Sequence, residues 1–222
     1  MASGLIFQEL FSEKEIKKHI NPSFADEVRD YFLYFLKVFL IVTFVYMFIR
    51  IHVFDVIGIS GHSMYPAYND RDAIYIDEWT PKFGDYRRGD VVVLVSPPDL
   101  DGKRELYIKR IIGVPGEKVV LEDGKVYIYN KAYPKGVQLD ERAYLKPNVK
   151  TYKRVISGGE RYEEETLGPD EYYVLGDNRT GSMDSRFFGK IKKKDILGRE
   201  FYRILPTDKS GFFTHPKYNI TD

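Results

Sequence analysis

The chain has 222 residues, enough for one or two domains with a sizeable core. Lys+Arg (34) and Asp+Glu (33) nearly cancel to a formal charge of +1, and with no basic stripe the charge does not point to a nucleic-acid partner. Cysteine is absent, which excludes disulfides, thiolate metal sites and a cysteine nucleophile together.

Residues 1–30 read as a short amphipathic lead: FQELFSEKEIKKHI has helical character, and Asn21-Pro22-Ser23 breaks it. Residues 31–50 break the soluble pattern. Tyr31 to Ile49, YFLYFLKVFLIVTFVYMFI, is apolar or aromatic except for Lys37 and Thr43. At about 1.5 Å per residue this run spans roughly 28 Å, close to the ~30 Å hydrocarbon core of a bilayer. Lys37 lies in the N-terminal half, where its stem can snorkel to the near interface. A buried helix of a soluble domain would carry an amphipathic stripe, which this segment lacks. It is also too long for the apolar region of a cleaved signal peptide and has no small-x-small site behind it. The reading is an uncleaved, single-pass signal anchor in the cell membrane. Lys14, Lys17, Lys18 and Arg29 precede it, whereas Arg50 and Arg71 are the first positive side chains after it. The positive-inside rule then puts the N-terminus in the cytoplasm and the long C-terminal part outside.

Beyond the anchor the chain reads as mainly β. Ala73 to Ile76 is a short strand, and Arg88-Gly89-Asp90 turns into Val91 to Val95, a buried-strand run closed by Pro97-Pro98. That Arg-Gly-Asp tripeptide matches an integrin-binding signal, but its place at a strand entry gives it a structural reading. Leu106 to Val114 is a further strand. Val119 to Tyr129 is a hairpin about Asp123-Gly124. Residues 130–168 are polar and punctuated by Pro147 and Gly158-Gly159, as expected of loops and ribbons. Glu171 to Leu175 and Ile196 to Leu205 complete the strands. The expected organisation is a catalytic β domain over 51–113 and 171–205, an inserted β subdomain over 114–170, and a tail over 206–222.

Three segments carry candidate chemistry. In Ile59-Ser60-Gly61-His62-Ser63-Met64-Tyr65-Pro66, the glycine permits close backbone approach and the proline fixes the exit, a constrained turn that can expose the Ser63 hydroxyl and aim its N–H at a carbonyl oxygen. An ordinary Ser-rich loop is the bland alternative. His62 is a poor base for Ser63, because adjacent residues in extended backbone point opposite ways. In Tyr107-Ile108-Lys109-Arg110-Ile111, strand alternation sets Lys109 on a face with Tyr107 and Ile111 and sends Arg110 to the other. Apolar surroundings lower a lysine pKa, as a general base requires. Read alone, Lys109 is equally a snorkelling lysine at a sheet edge. Gly176-Asp177-Asn178-Arg179-Thr180-Gly181-Ser182-Met183-Asp184-Ser185-Arg186 is dense enough in polar groups for a hydrogen-bonded network. Asn178-Arg179-Thr180 and Asn219-Ile220-Thr221 also match glycosylation sequons, short matches to which no weight is given. The four histidines are scattered, and no phosphate loop, dinucleotide fingerprint or HExxH is present, so no metal or organic cofactor is expected.

Taken in order, the anchor, GHSMYP, RGDVVVL, YIKRIIGVPG and GDNRTGSMDSR resemble the type I signal peptidases, the Ser-Lys family of bacterial leader peptidases. The resemblance runs from about residue 31 to 203. It implies an antiparallel β catalytic domain with an inserted β subdomain, acting as a serine endopeptidase that removes signal peptides from exported preproteins. Ser63 matches the nucleophile, and its backbone N–H one oxyanion-hole donor. Lys109 matches the general base, and Ser182 the serine that orients that lysine. Asp184 and Arg186 match a supporting ion-pair network in which Arg110 should take part. Gly61, Met64 and Pro66 shape the nucleophile turn. Some members have a serine at the position of Gly61 as second oxyanion donor, so that donor is left unassigned, and Ala67 stands where Thr is frequent. Substrates with small residues at the first and third positions before the cut, of Ala-x-Ala type, are expected to bind as an added strand. An apolar rim near the lipid bilayer is expected too, with Trp79 and Phe83 as candidates.

Two other readings compete. An SOS-type Ser-Lys autoprotease would need a DNA-binding helix-turn-helix and no span. A non-enzymatic, membrane-tethered β adaptor would have no use for a lysine on an apolar strand face together with the Gly-x-Ser-Met-x-Pro turn. Eukaryotic-type signal peptidases carry histidine where Lys109 stands. The sequence says nothing of oligomeric state.

Overall fold

A computed structural model describes residues 24–52, 54–98, 101–152 and 164–220. The chain divides into two units, residues 1–50 and 51–222. Most of the lead, 1–23, lies outside the described residues.

The described part of the first unit is helical, within the helix α1, Phe24–His52, whose last two residues are counted in the second unit. It starts earlier than the apolar run, because Asp26 and Glu27 suit the positive end of a helix and Asp26 pairs with Arg29 one turn on. Its stretch from Phe24 to Phe48 is long and apolar enough to cross a membrane, and the side chains there are almost all exposed.

The second unit is built on antiparallel strands. They are β1 (Phe54–Gly58), β2 (Ala73–Asp77), β3 (Val91–Val95), β4 (Leu106–Gly113), β5 (Lys118–Glu122), β6 (Lys125–Tyr129), β7 (Val137–Gln138), β8 (Glu164–Thr166), β9 (Glu171–Leu175), β10 (Ile191–Lys192), β11 (Ile196–Leu205) and β12 (Gly211–Phe212). Two one-turn helices join them, α2 (Thr80–Phe83) and α3 (Ser185–Phe188). The main sheet has the order β1-β2-β11-β3-β4-β9-β10, with β12 on β11, and a second sheet has the order β7-β6-β5-β8.

Strand β3 explains the arrangement of the main sheet. Its run VVVLV is buried on both faces, as a central strand requires. Val91 and Val93 pack with Ile59, Met64, Tyr68, Ile74, Ile76 and Ile108 on one side. Val92 and Leu94 pack with Ile111, Tyr172, Val174 and Ile196 on the other. The second sheet is the one expected between the lysine strand and Glu171. Its hairpin turns at Asp123-Gly124 with positive φ at both, the geometry that matches strand twist. It is not a separate body: Val119, Leu121, Val126 and Ile128 share a core with Ile112, Tyr173 and Leu175 of the main sheet.

Of the residues expected as a tail, 206–222, the described ones, 206–220, are largely built into the domain. Strand β12 pairs with β11, His215 Nε2 lies 2.5 Å from Asp90 Oδ1, and Ile220 joins the shared core. The Arg-Gly-Asp tripeptide is internal. Arg88 and Asp90 are buried, and Arg88 makes a two-pronged pair with Glu117. Phe83 is highly exposed and Trp79 is exposed at its edge, the two rings meeting edge to face.

Candidate active site

The turn carrying Ser63, expected from the resemblance to hold the nucleophile, follows β1. Gly61 has φ +90, open to glycine and strained for other residues, and its N–H donates to Asp70 Oδ1 at 2.8 Å. The chain then bends so that Tyr65 N–H reaches the His62 carbonyl and Tyr68 N–H the Met64 carbonyl. Met64 is sunk in the core beside Val91 and Ile108, which fixes the turn from below and leaves Ser63 half-buried above it. The Ser63 N–H makes no hydrogen bond among the described residues.

The lysine comes from β4. That strand pairs with β3 along Leu106–Arg110, but with β9 only from Arg110 onward. Ile111 bonds towards β3, through Asp90 O and Gly89 N. Alternation therefore points the N–H and C=O of Leu106 and Ile108 to the opposite side, where no described strand covers them. The Lys109 amine sits at this bare edge, 3.0 Å from Ser63 Oγ and 2.8 Å from the Ile108 carbonyl oxygen. Lys109 is only 2% exposed, and its amine lies 4.8 Å from the centre of the Tyr107 ring. Burial pushes its pKa down to about 8, against the opposing pull of the Asp184 and Asp177 carboxylates. At pH 7 about a tenth of such a lysine is neutral. A neutral amine at this distance from a serine hydroxyl can take its proton.

The loop after β9 closes the site. Asn178 N–H donates to the Ser63 carbonyl at 3.0 Å, and its Nδ2 to the His62 carbonyl at 3.1 Å. Gly176 lies so close that an added Cβ would overlap the Ser63 carbonyl oxygen and Ser182 Oγ. Asp184 is fully buried. It accepts from the N–H groups of Gly176 and Arg186 and from Nε and Nη2 of Arg186, which braces both ends of the loop. Arg186 Nη1 donates to the Arg179 carbonyl, and Arg179 makes a two-pronged pair with Glu141.

Two expectations about the supporting residues differ from this geometry. Ser182 does not bond the lysine here: its Oγ is buried with no hydrogen-bond partner, and the amine is directed to Ser63 and Ile108. Arg110 does lie on the far side of β4, but its two-pronged partner is Asp177, not Asp184. Its guanidinium also stacks on the Tyr144 ring at 4.2 Å. Asp70, Asn178, Asp177 and the Ile108 carbonyl were not singled out from the sequence. Asp177 and Asn178 sat inside the polar turn already noted, but nothing in that turn says which acid meets Arg110. The His62 side chain is exposed and makes no hydrogen bond to Ser63. Among the described residues no three His, Cys, Asp or Glu side chains gather as a metal ion would need.

Comparison with known proteins gives the family of the chain. The family profile described as "Signal peptidase, peptidase S26" matches residues 32–205. Over 176 residues the chain is 33% identical to Signal peptidase I S of Bacillus subtilis (strain 168), covering 77% of this chain and 87% of that one. It is 30% identical over 176 residues to Signal peptidase I P of Bacillus subtilis subsp. natto, covering 78% and 89% respectively. It is also 33% identical over 168 residues to a probable signal peptidase I-2 of Synechocystis sp. (strain ATCC 27184 / PCC 6803 / Kazusa), covering 75% and 70%.

Proposed function

Because the chain belongs to the signal peptidase family, peptidase S26, and is with it a serine peptidase that removes signal peptides, we propose that Ser63 is its nucleophile and Lys109 its general base. One observation carries this assignment: a buried lysine amine, its pKa drawn down to about 8, lies 3.0 Å from the Ser63 hydroxyl. The neutral amine removes the Ser63 proton as Oγ attacks the scissile carbonyl. The resulting ammonium then protonates the leaving amine, and the base so regenerated activates the water that frees the acyl-enzyme. The unengaged Ser63 N–H is the first donor to the developing oxyanion.

The substrate is a preprotein with an Ala-x-Ala-type site, bound as an extended strand against the bare edge of β4 at Leu106 and Ile108. Helix α1 anchors the enzyme in the membrane, with residues 1–30 in the cytoplasm and the β unit outside. The tether confines enzyme and preprotein to one surface and so raises their effective concentration.

The test is cleavage of a preprotein bearing an Ala-x-Ala site by the full chain in detergent. Wild type cuts at that site, and Ser63→Ala and Lys109→Met are both inactive. Activity surviving in Lys109→Met removes the lysine from the base role, and absence of cleavage by folded wild type returns the chain to the adaptor reading.

A further inference from the structure

A cavity of about 500 Å³ opens on the far side of the nucleophile turn. This lies in the ~300–1,000 Å³ range typical of small-ligand sites. Its wall includes Tyr65 and Pro66, which follow Ser63 directly, and Asn178, which holds the Ser63 carbonyl. The opposite wall is the loop carrying Lys146, Lys150 and Tyr152. Tyr65 and Tyr152 are about half exposed, offering ring faces rather than a closed core.

The charges on this wall do not cancel. Asp177 is neutralised by Arg110, and Arg179 by Glu141. Lys146 and Lys150 are exposed and form no ion pair among the described residues; Lys146 lies over the Tyr65 ring at 5.7 Å. Both lysines line the cavity, Lys146 with its amine over the Tyr65 ring and Lys150 with its stem against Gly124, so the lining carries an excess of positive charge.

The position sets the occupant, given Ser63 as nucleophile. Leu106 to Lys109 and Ile59 to Ser63 both run toward the catalytic pair. A preprotein strand laid along them reaches the pair with its scissile bond. Tyr65 and Pro66 follow Ser63 in sequence and Asn178 bonds its carbonyl, so the cavity they line adjoins the turn where the chain beyond that bond would leave. We propose that this cavity is the binding site for the first residues of the mature protein, and that Lys146 and Lys150 make it select acidic side chains there.

The experiment compares three preprotein substrates that share one Ala-x-Ala site and differ only in the second and third residues after the cut: Glu-Glu, Gln-Gln or Lys-Lys. In low salt the full-length wild type should show kcat/KM roughly three- to tenfold higher for Glu-Glu than for Lys-Lys, as expected of two exposed charge pairs. That preference should collapse near ~1 M salt, where the Debye length is about 3 Å. Lys146→Glu combined with Lys150→Glu should reverse the ranking, a ratio taken within one enzyme form and so independent of its active fraction. Equal kcat/KM for all three substrates in wild type, or a ranking that survives the double substitution, overturns the site while Ser63-dependent cleavage still stands. If wild type cuts none of the three, the peptidase assignment and the site built on it fall together.

Discussion

The Asn178 N–H donates to the Ser63 carbonyl oxygen at 3.0 Å, while the Asn178 side-chain amide holds the preceding carbonyl, that of His62, at 3.1 Å. One residue of the loop after β9 thus fastens both peptide groups that frame the nucleophile. Substitution by alanine keeps the main-chain bond and removes the side-chain one, together with the bonds that Asn178 Oδ1 accepts from Gly181 N–H and Thr180 Oγ1. A typical hydrogen bond contributes about 1 kcal/mol, so Asn178→Ala should lower kcat about fivefold with little change in KM. Asn178→Asp should cost more, since a carboxylate would face the His62 carbonyl. Steady-state kinetics decide it; unchanged kcat in both variants would show that the grip on His62 is irrelevant to turnover.

The lysine makes activity pH-dependent in a stated direction. Its base form is the neutral amine, and burial sets its pKa at about 8. For the free enzyme, kcat/KM should rise about tenfold per pH unit below that value and level off above it. A midpoint near the ordinary lysine value of about 10.4 would mean that the burial seen at Lys109 does not tune it.

The same burial bears on stability. Below about pH 8 both folded and unfolded chains carry a Lys109 ammonium, and the folded state bears its full desolvation cost. Between about 8 and 10.5 the unfolded chain binds a proton that the folded chain does not, so stability rises with pH and the cost is relieved. At 1.36 kcal/mol per pKa unit the net cost, after the attraction of Asp184 and Asp177, comes to about 3 kcal/mol. Lys109→Met should therefore be inactive yet more stable than wild type near neutral pH, with the gap narrowing above pH 8. Urea unfolding of both forms at pH 7 and pH 10 measures this. A Lys109→Met chain less stable at pH 7 would place the lysine's contacts above its burial cost.

Much of this site is legible in the sequence, and for physical reasons. The β-branched run VVVLV, short and closed by Pro97-Pro98, favours a strand buried on both faces, and Asp123-Gly124 favours a tight hairpin, so β3 and the β5–β6 hairpin follow from local chemistry. Period-two alternation separates Lys109 from Arg110 and sends them to different tasks. Strands β7, β8, β10 and β12 are two or three residues long, too short for any periodicity to mark. The partner of Arg110 was equally hidden. Asp177 and Asp184 sit in one loop, and only the path of that loop, braced by Asp184 on Arg186, brings Asp177 to the arginine. Residues 206–222 read only as a tail, yet Tyr218 and Ile220 complete a core whose other members lie earlier in the chain.

Ser182 separates stability from catalysis. Its hydroxyl is buried beside the nucleophile turn with no hydrogen-bond partner, against a Gly176 that leaves just enough room for it. An unsatisfied buried hydroxyl costs about 1–3 kcal/mol, so in the resting enzyme it stabilises nothing. The resemblance implies that it orients the lysine; if it does, that task would fall after Lys109 gives up its bond to Ser63 Oγ, when the serine is acylated and the amine needs another partner. Ser182→Ala should then keep or slightly raise Tm while lowering kcat by at least about tenfold, since loss of orientation at a reacting group is expensive. Glycine should behave like alanine, and Ser182→Thr should be worse in both respects for lack of space beside Gly176. Wild-type kcat in Ser182→Ala at an unchanged Tm would show the hydroxyl to be a passive filler of the loop.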